Sequence, residues 1–143
     1  MIGIEKMKRE SSRGIIVENG KLLTMFRRKI NNKNEKIEYY VIPGGGIEND
    51  ETKEETVLRE LNEELGIEAK ILGYIGVEER ENTIEHFFAC ERINGTPHLN
   101  GEELERMTND NYYEPMYVNI TELSNLPFKG LDFVYKAINK EYK

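Results

Sequence analysis

The residues with most chemical potential lie between Gly45 and Ile67, in "GGIENDETKEETVLRELNEELGI". Glu60, Glu63 and Glu64 are spaced i, i+3, i+4, so on a helix they share one face, with Arg59 among them. Glu60 and Glu64 form a like-charge pair at i, i+4, which is mildly destabilising. These carboxylates also sit in the C-terminal half of the predicted helix, where the macrodipole disfavours them. Arg59 is within reach of Glu55 and Glu63 and offsets part of this. Clustered hard carboxylate oxygens are what Mg²⁺ or Mn²⁺ requires. The preceding Pro43-Gly44-Gly45-Gly46 turn brings free backbone groups close to any ligand. A cation beside a glycine-rich turn suits a diphosphate, whose oxygens it neutralises while it activates water. Taken alone, three glutamates on a helix face are more often a solvated surface than a metal site.

The elements that must position these residues are legible in the hydrophobic pattern. Thr52-x-x-Glu55 is a capping box, and Gly66 suits a left-handed C-terminal cap, so a helix is predicted up to Leu65. Val57, Leu58, Leu61 and Leu65 form its apolar stripe. Residues 13–28 read as a hairpin about Asn19-Gly20, after a polar lead-in. Residues 30–38 read as a loop. Residues 39–42 make a short strand ended by Pro43 and the glycines. Two long strands are expected at 69–79 and 83–91, a long polar segment at 93–111, and a strand at 114–120. Leu123 and Leu126 suggest a short helix, and Phe133, Val134, Ala137 and Ile138 a C-terminal one. One domain over residues 1–143 is expected, an α/β (α+β) sandwich around a mixed sheet.

Composition narrows the partners. The chain has 143 residues, a net charge of −7 and 33% charged residues. An acidic surface repels nucleic acid backbones and anionic membranes, so neither is expected as a partner. Cys90 is the only cysteine, which excludes an internal disulfide and a cysteine-rich zinc site. In "HFFACER" it reads as a small buried hydrophobe. No apolar run approaches a membrane span, and "MIGIEKMKRESSR" has no signal-peptide core, so a cytoplasmic location is predicted.

Gly45, five residues, Glu51, seven residues, then Arg59-Glu60-Leu61-Asn62-Glu63-Glu64-Leu65-Gly66-Ile67 resembles the Nudix box without departure. Chance agreement is below about one in a million on ordinary residue frequencies. The resemblance implies the Nudix-type α/β/α sandwich with a mixed sheet. It also implies hydrolysis of a nucleoside diphosphate linked to another group, with Mg²⁺ (or Mn²⁺) as cofactor. Carried over by position, Glu60, Glu63, Glu64 and the Gly44 carbonyl would be metal ligands. Arg59 would hold the carboxylates through Glu51 or Glu63, and Glu51 would brace the loop–helix junction. The general base differs among members. Glu60 is the first candidate, and Glu102, Glu103 and Glu105 on the polar segment are others.

Substrate markers are weaker. The positions that carry a proline in ADP-ribose members and a tyrosine in diadenosine polyphosphate members hold Asn82-Thr83 and Ile84-Glu85 here. "LLTMFRR" matches the coenzyme A signature only superficially. Small size is similar to MutT-type nucleoside triphosphate pyrophosphohydrolases. ADP-ribose or nucleotide-sugar hydrolysis is the alternative, and a non-catalytic nucleotide sensor is the rival of another class. Sensors usually lose box carboxylates, and this chain keeps them. Isopentenyl diphosphate isomerisation ranks low because Cys90 lies outside a suitable motif. Arg27, with Arg28 and Lys29, could meet terminal phosphates, and a solvated basic edge accounts for them as well. Tyr39, Tyr40, Tyr112 and Tyr113 offer stacking faces, though most read as packing residues. Glu103 is the third candidate substrate contact after Arg27 and Tyr40. His86 and His98 read as non-ligands. Nudix proteins are often homodimers, and nothing in the sequence marks a self-complementary face.

Overall fold

The computed structural model describes residues 8–143, so the sequence reading of segment 1–7 lies outside the described residues. The strands are β1 (Arg9–Glu18), β2 (Lys21–Ile30), β3 (Lys36–Val41), β4 (Gly44–Gly46), β5 (Glu68–Glu79), β6 (Thr83–Asn94) and β7 (Asn111–Asn119). The helices are α1 (Lys53–Leu65), α2 (Gly101–Arg106) and α3 (Leu131–Ile138), with a 3-10 turn at Ile120–Asn125. The strand path is β3-β2-β1-β6-β5, with β4 added to β1 and β7 to β2. Among the strands of the described residues only β1 and β6 pair in parallel, which makes the sheet mixed.

Adjacent apolar residues explain why helices cover both faces. Successive strand residues point to opposite sides. Ile16, Leu23 and Phe88 pack under α1 with Val57, Leu61 and Leu65. Their neighbours Ile15, Leu22 and Phe87 pack with Val134 of α3 and Leu123 of the 3-10 turn. Doublets such as Ile15-Ile16 are what a strand buried on both faces requires. Leu58 is only half-buried at the rim of the first core. Cys90 is 4% exposed, and burial pushes its thiol up to about 12, so it packs as an inert hydrophobe.

Helix α1 begins and ends as its sequence dictates. Thr52 Oγ1 accepts from the Glu55 amide, and Glu55 Oε1 accepts from the Thr52 amide, both at 3.0 Å. Gly66 takes φ 65° at the other end. Glu55 is committed to this cap and makes no pair with Arg59, contrary to the sequence expectation.

Several boundaries differ from expectation. The polar lead-in belongs to β1 from Arg9, with Ser11 and Ser12 buried. The glycine run is a strand rather than a turn, pairing Gly44, Gly45 and Gly46 with Arg13, Ser12 and Ser11. Backbone pairing forms both segments, and neither has an apolar alternation to reveal it. The loop expected at 30–38 yields Ile30 to β2 and its last residues to β3, and β7 starts at Asn111. The long polar segment contains α2. Its approach is tied to α1, because the His98 and Asn100 amides donate to the Leu65 and Glu64 carbonyls at 3.1 and 2.8 Å. These are among the carbonyls that a helix end leaves without partners.

Candidate active site

Strand β4 and helix α1 form one wall, and Arg59 fastens them together. Its Nε and Nη2 donate to Glu51 Oε2 and Oε1 at 2.5 and 2.9 Å, a two-pronged pair. Nη2 also donates to the Gly46 carbonyl at 3.0 Å. Nη1 donates to Glu60 and Glu63, both at 3.0 Å. Thr56 Oγ1 and the Glu48 amide complete the shell of Glu51 at 2.6 and 3.2 Å. The Arg59 guanidinium, followed by these donors, holds Glu51 down to about 2, well below the usual carboxylate range.

Glu60 lies directly against Gly45 and is only 8% exposed. A Cβ added to Gly45 would come within 2.6 Å of both Glu60 carboxylate oxygens, so the missing side chain is the space the carboxylate fills. Gly44 has φ 156°, and a Cβ there would collide with the Ser12 carbonyl. Burial, then the neighbouring Glu60 and Glu103 carboxylates, raise the pKa of Glu64 far above normal. Glu60, Glu64 and Glu103 are therefore brought together, with Glu103 delivered by α2. Glu63 is turned to Arg59. Among the described residues no three His, Cys, Asp or Glu side chains stand in an assembled metal-ligating group. The donor set still fits a hard divalent cation: oxygen ligands only, and a close carboxylate pair in which Arg59 partners Glu60 while Glu64 has no cationic partner among the described residues.

These carboxylates open into a cavity of about 960 Å³. Arg27, Tyr39, Tyr113, Arg13 and Lys129 line it with them. Tyr40 does not. It points to the other face of β3, where it packs at 5.2 Å from Phe26 and at 6.3 Å, ring parallel to ring, from Phe128. Period-two alternation puts Tyr39 in the cavity instead. Arg28 likewise leaves the cavity and lies 4.6 Å over Tyr112. Arg27 alone of the basic run enters it. Glu102 and Glu103 line the cavity, and Glu105 does not.

The NUDIX domain family model matches residues 8–133. The chain belongs to the Nudix family. A search of curated proteins found no match. Solved structures with the same fold include a Nudix-family hydrolase from Clostridium perfringens (15% identity, TM-score 0.69, covering 94% of this chain and 98% of that one). A MutT Nudix hydrolase from Burkholderia pseudomallei is similar (20%, 0.67, covering 93% and 97%). So is an ADP-ribose pyrophosphatase from Streptococcus suis (14%, 0.63, covering 96% and 94%). Identities this low establish the fold. Membership makes this chain a hydrolase of diphosphate bonds, in a family that acts on small nucleotide derivatives and generally uses divalent cations. No helix among the described residues is long and apolar enough to cross a membrane.

Some lining residues of this Nudix cavity escaped the sequence reading. Arg13 Nε donates to Glu85 at 2.8 Å and its Nη1 to the Ile42 carbonyl at 2.7 Å, bracing β1 against β6. Lys129 arrives from the loop before α3. Nothing local marks these residues, because they meet only through the parallel β1–β6 pairing and the return of the chain past Tyr40.

Proposed function

We propose that this Nudix hydrolase is a Mg²⁺-dependent pyrophosphohydrolase of nucleoside triphosphates, acting as one Nudix domain in the cytoplasm. The observation that carries the metal-dependent part is Glu60 pressed under Gly45 beside Glu64, two neighbouring carboxylates that a divalent cation would stabilise together. Glu60 and Glu64, with Glu63 once released from Arg59 and the Gly44 carbonyl, would hold the metal. Such a cation supplies positive charge against the diphosphate oxygens and acidifies the attacking water. Arg59 keeps the box carboxylates in register through its bonds to Glu51, Glu60 and Glu63. Glu51 locks that guanidinium to the β4–α1 junction. Glu60 is the first candidate to accept the proton of the water, and Glu103 is the second because α2 brings it to the same acid group. The triphosphate assignment rests on small size and on the intact box, in keeping with MutT among the proteins of this fold.

The test is product release from nucleoside triphosphates, ADP-ribose, nucleotide sugars and dinucleotides, with Mg²⁺, with Mn²⁺ and with chelator. Metal-dependent pyrophosphate release from triphosphates is expected. Cleavage confined to ADP-ribose or nucleotide sugars would replace the substrate class. Measured metal binding with no cleavage of any compound would favour a nucleotide sensor.

A further inference from the structure

The end of the cavity built on β2, β3 and β7 differs chemically from the carboxylate wall. Arg27 is directly opposite Tyr39 on one side and Tyr113 on the other, so the three side chains form one row across the strands. The guanidinium carbon lies 4.2 Å from the Tyr113 ring centre and 5.9 Å from that of Tyr39. Lys129 places its Nζ 4.6 Å from the same Tyr39 ring. Nη2 of Arg27 donates to Tyr113 Oη at 2.7 Å and to Asn111 Oδ1 at 3.3 Å, which fixes the plane of the guanidinium. Its Nε is buried with no acceptor among the described residues. An unmade bond at a buried charged donor is costly and calls for a reason.

The charge pairing sharpens this. Among the described residues, ion pairs join the cavity cations Arg13, Arg59, Arg80 and Arg106 to Glu85, Glu51, Glu78 and Glu102, and include none of Arg9, Arg27 and Lys129. Arg27 and Lys129 share the Tyr39 ring, so in a chain of net charge −7 this recess carries local positive charge. The strongest free donors there are the two cations. Asn111 is already engaged, since its Oδ1 accepts from Arg27 and its Nδ2 donates to the Arg106 carbonyl and Tyr113 Oη. A group that carries its own donors, such as an exocyclic amine, meets like-oriented donors at Arg27 and Lys129 and finds only weak neutral acceptors such as the Tyr39 hydroxyl. An anionic oxygen group meets two cations and two aromatic walls.

Resting on the diphosphate hydrolase reading above, we propose that Arg27 and Lys129 form a specificity subsite for an anionic oxygen group carried beyond the scissile diphosphate. The group is a further phosphate or a carboxylate. Substrates with a neutral group at that end are discriminated against.

UDP-glucuronate and UDP-glucose differ by one carboxylate in place of a hydroxymethyl, so their kcat/KM ratio isolates the subsite, and UTP supplies the phosphate arm. The full chain is expected to favour UDP-glucuronate about tenfold or more, through KM, as for a hydrogen bond to a charged group. Arg27→Gln should remove most of that preference, and Lys129→Gln should reduce it several-fold. Lys129 is exposed, so its substitution does not threaten folding. The surface control Lys33→Gln should keep the preference. A rise in KM for UTP in the same variants would identify phosphate as an occupant, and a change confined to UDP-glucuronate would identify carboxylate. If neither sugar is hydrolysed, calorimetric Kd values for the pair supply the same ratio. Equal values for the pair in the unsubstituted protein together with an unchanged KM for UTP in both variants, or a preference that survives both substitutions, would overturn the subsite. If triphosphates resist hydrolysis while UDP-glucuronate is preferred, the triphosphate reading fails and the subsite stands. If triphosphates are cleaved with the same KM in both variants and the pair is treated equally, the subsite alone fails.

Discussion

Gly45→Ala isolates the packing of the carboxylate wall from its chemistry. Gly45 does not occupy the left-handed region, so alanine meets no backbone strain there. By itself the change would stabilise the chain by about 0.4–1 kcal/mol, through a less flexible unfolded state. The added methyl instead stands 2.4 Å from the Glu60 carboxylate carbon and 2.6 Å from both its oxygens, where ordinary contact begins at 3.4 Å. Glu60 must therefore retreat by about 1 Å, the difference between 3.4 and 2.4 Å. It cannot slide freely, because it is 8% exposed and held by Arg59. Overpacking of this kind costs about 1–3 kcal/mol, lowering the thermal midpoint by roughly 3–10 °C. A displacement near 1 Å costs about a hundredfold in turnover where position matters. Gly46→Ala is the matched comparison, since its methyl would meet nothing closer than Arg9 at 3.4 Å, and it should lose less than about tenfold. The assay is metal-dependent hydrolysis of the best substrate, together with a melting curve for each variant. Gly45→Ala with unchanged or raised stability and unchanged kcat/KM would refute the placement of Glu60 against β4 and its use in the reaction.

Other outcomes follow from the same wall. Glu64→Gln or Glu63→Gln should cut turnover at least about a hundredfold with the fold intact by circular dichroism, and near-normal activity in both would sink the metal assignment. Because Glu64 is held in a buried acid pair, Glu64→Gln should also melt higher than the parent in chelator, while the parent should gain more from added Mg²⁺; equal melting responses would count against cation binding there. Arg59→Lys should lower kcat by about tenfold or more, since an ammonium cannot make the two-pronged bond to Glu51 and still reach Gly46, as steady-state kinetics would record. The pKa of Glu51 falls from 4.5 unfolded to about 2 folded. Its contribution is thus complete above the unfolded value and lost as pH falls toward 2, at most about 3 kcal/mol. Denaturant melts from pH 6 to pH 2 should show a shallower decline for Glu51→Gln than for the parent.

The amino-acid sequence by itself determined the chemistry and the local structure of this Nudix hydrolase. The spacing of Glu60, Glu63 and Glu64 reflects helical geometry, and the caps at Thr52 and Gly66 are short-range hydrogen-bond patterns. Both are written in residues within one or two turns of each other, as is the doubled apolar pattern that calls for helices on both sheet faces. Tertiary structure decided which charges meet. Arg59 selects Glu51 over Glu55 because the β4–α1 junction folds Glu51 back against it while Glu55 is used in the cap. Tyr39 enters the cavity in place of Tyr40 because the register of β3 against β2 sets which alternate residues face inward. Glu103 reaches Glu64 because a polar segment, with no periodic signal of its own, donates its amides to the end of α1. Lys129 reaches Tyr39 across a long stretch of chain for a similar reason. Short-range patterns carry their partners in the sequence itself. Contacts between distant segments depend on register and chain path, which appear only once the sheet has formed.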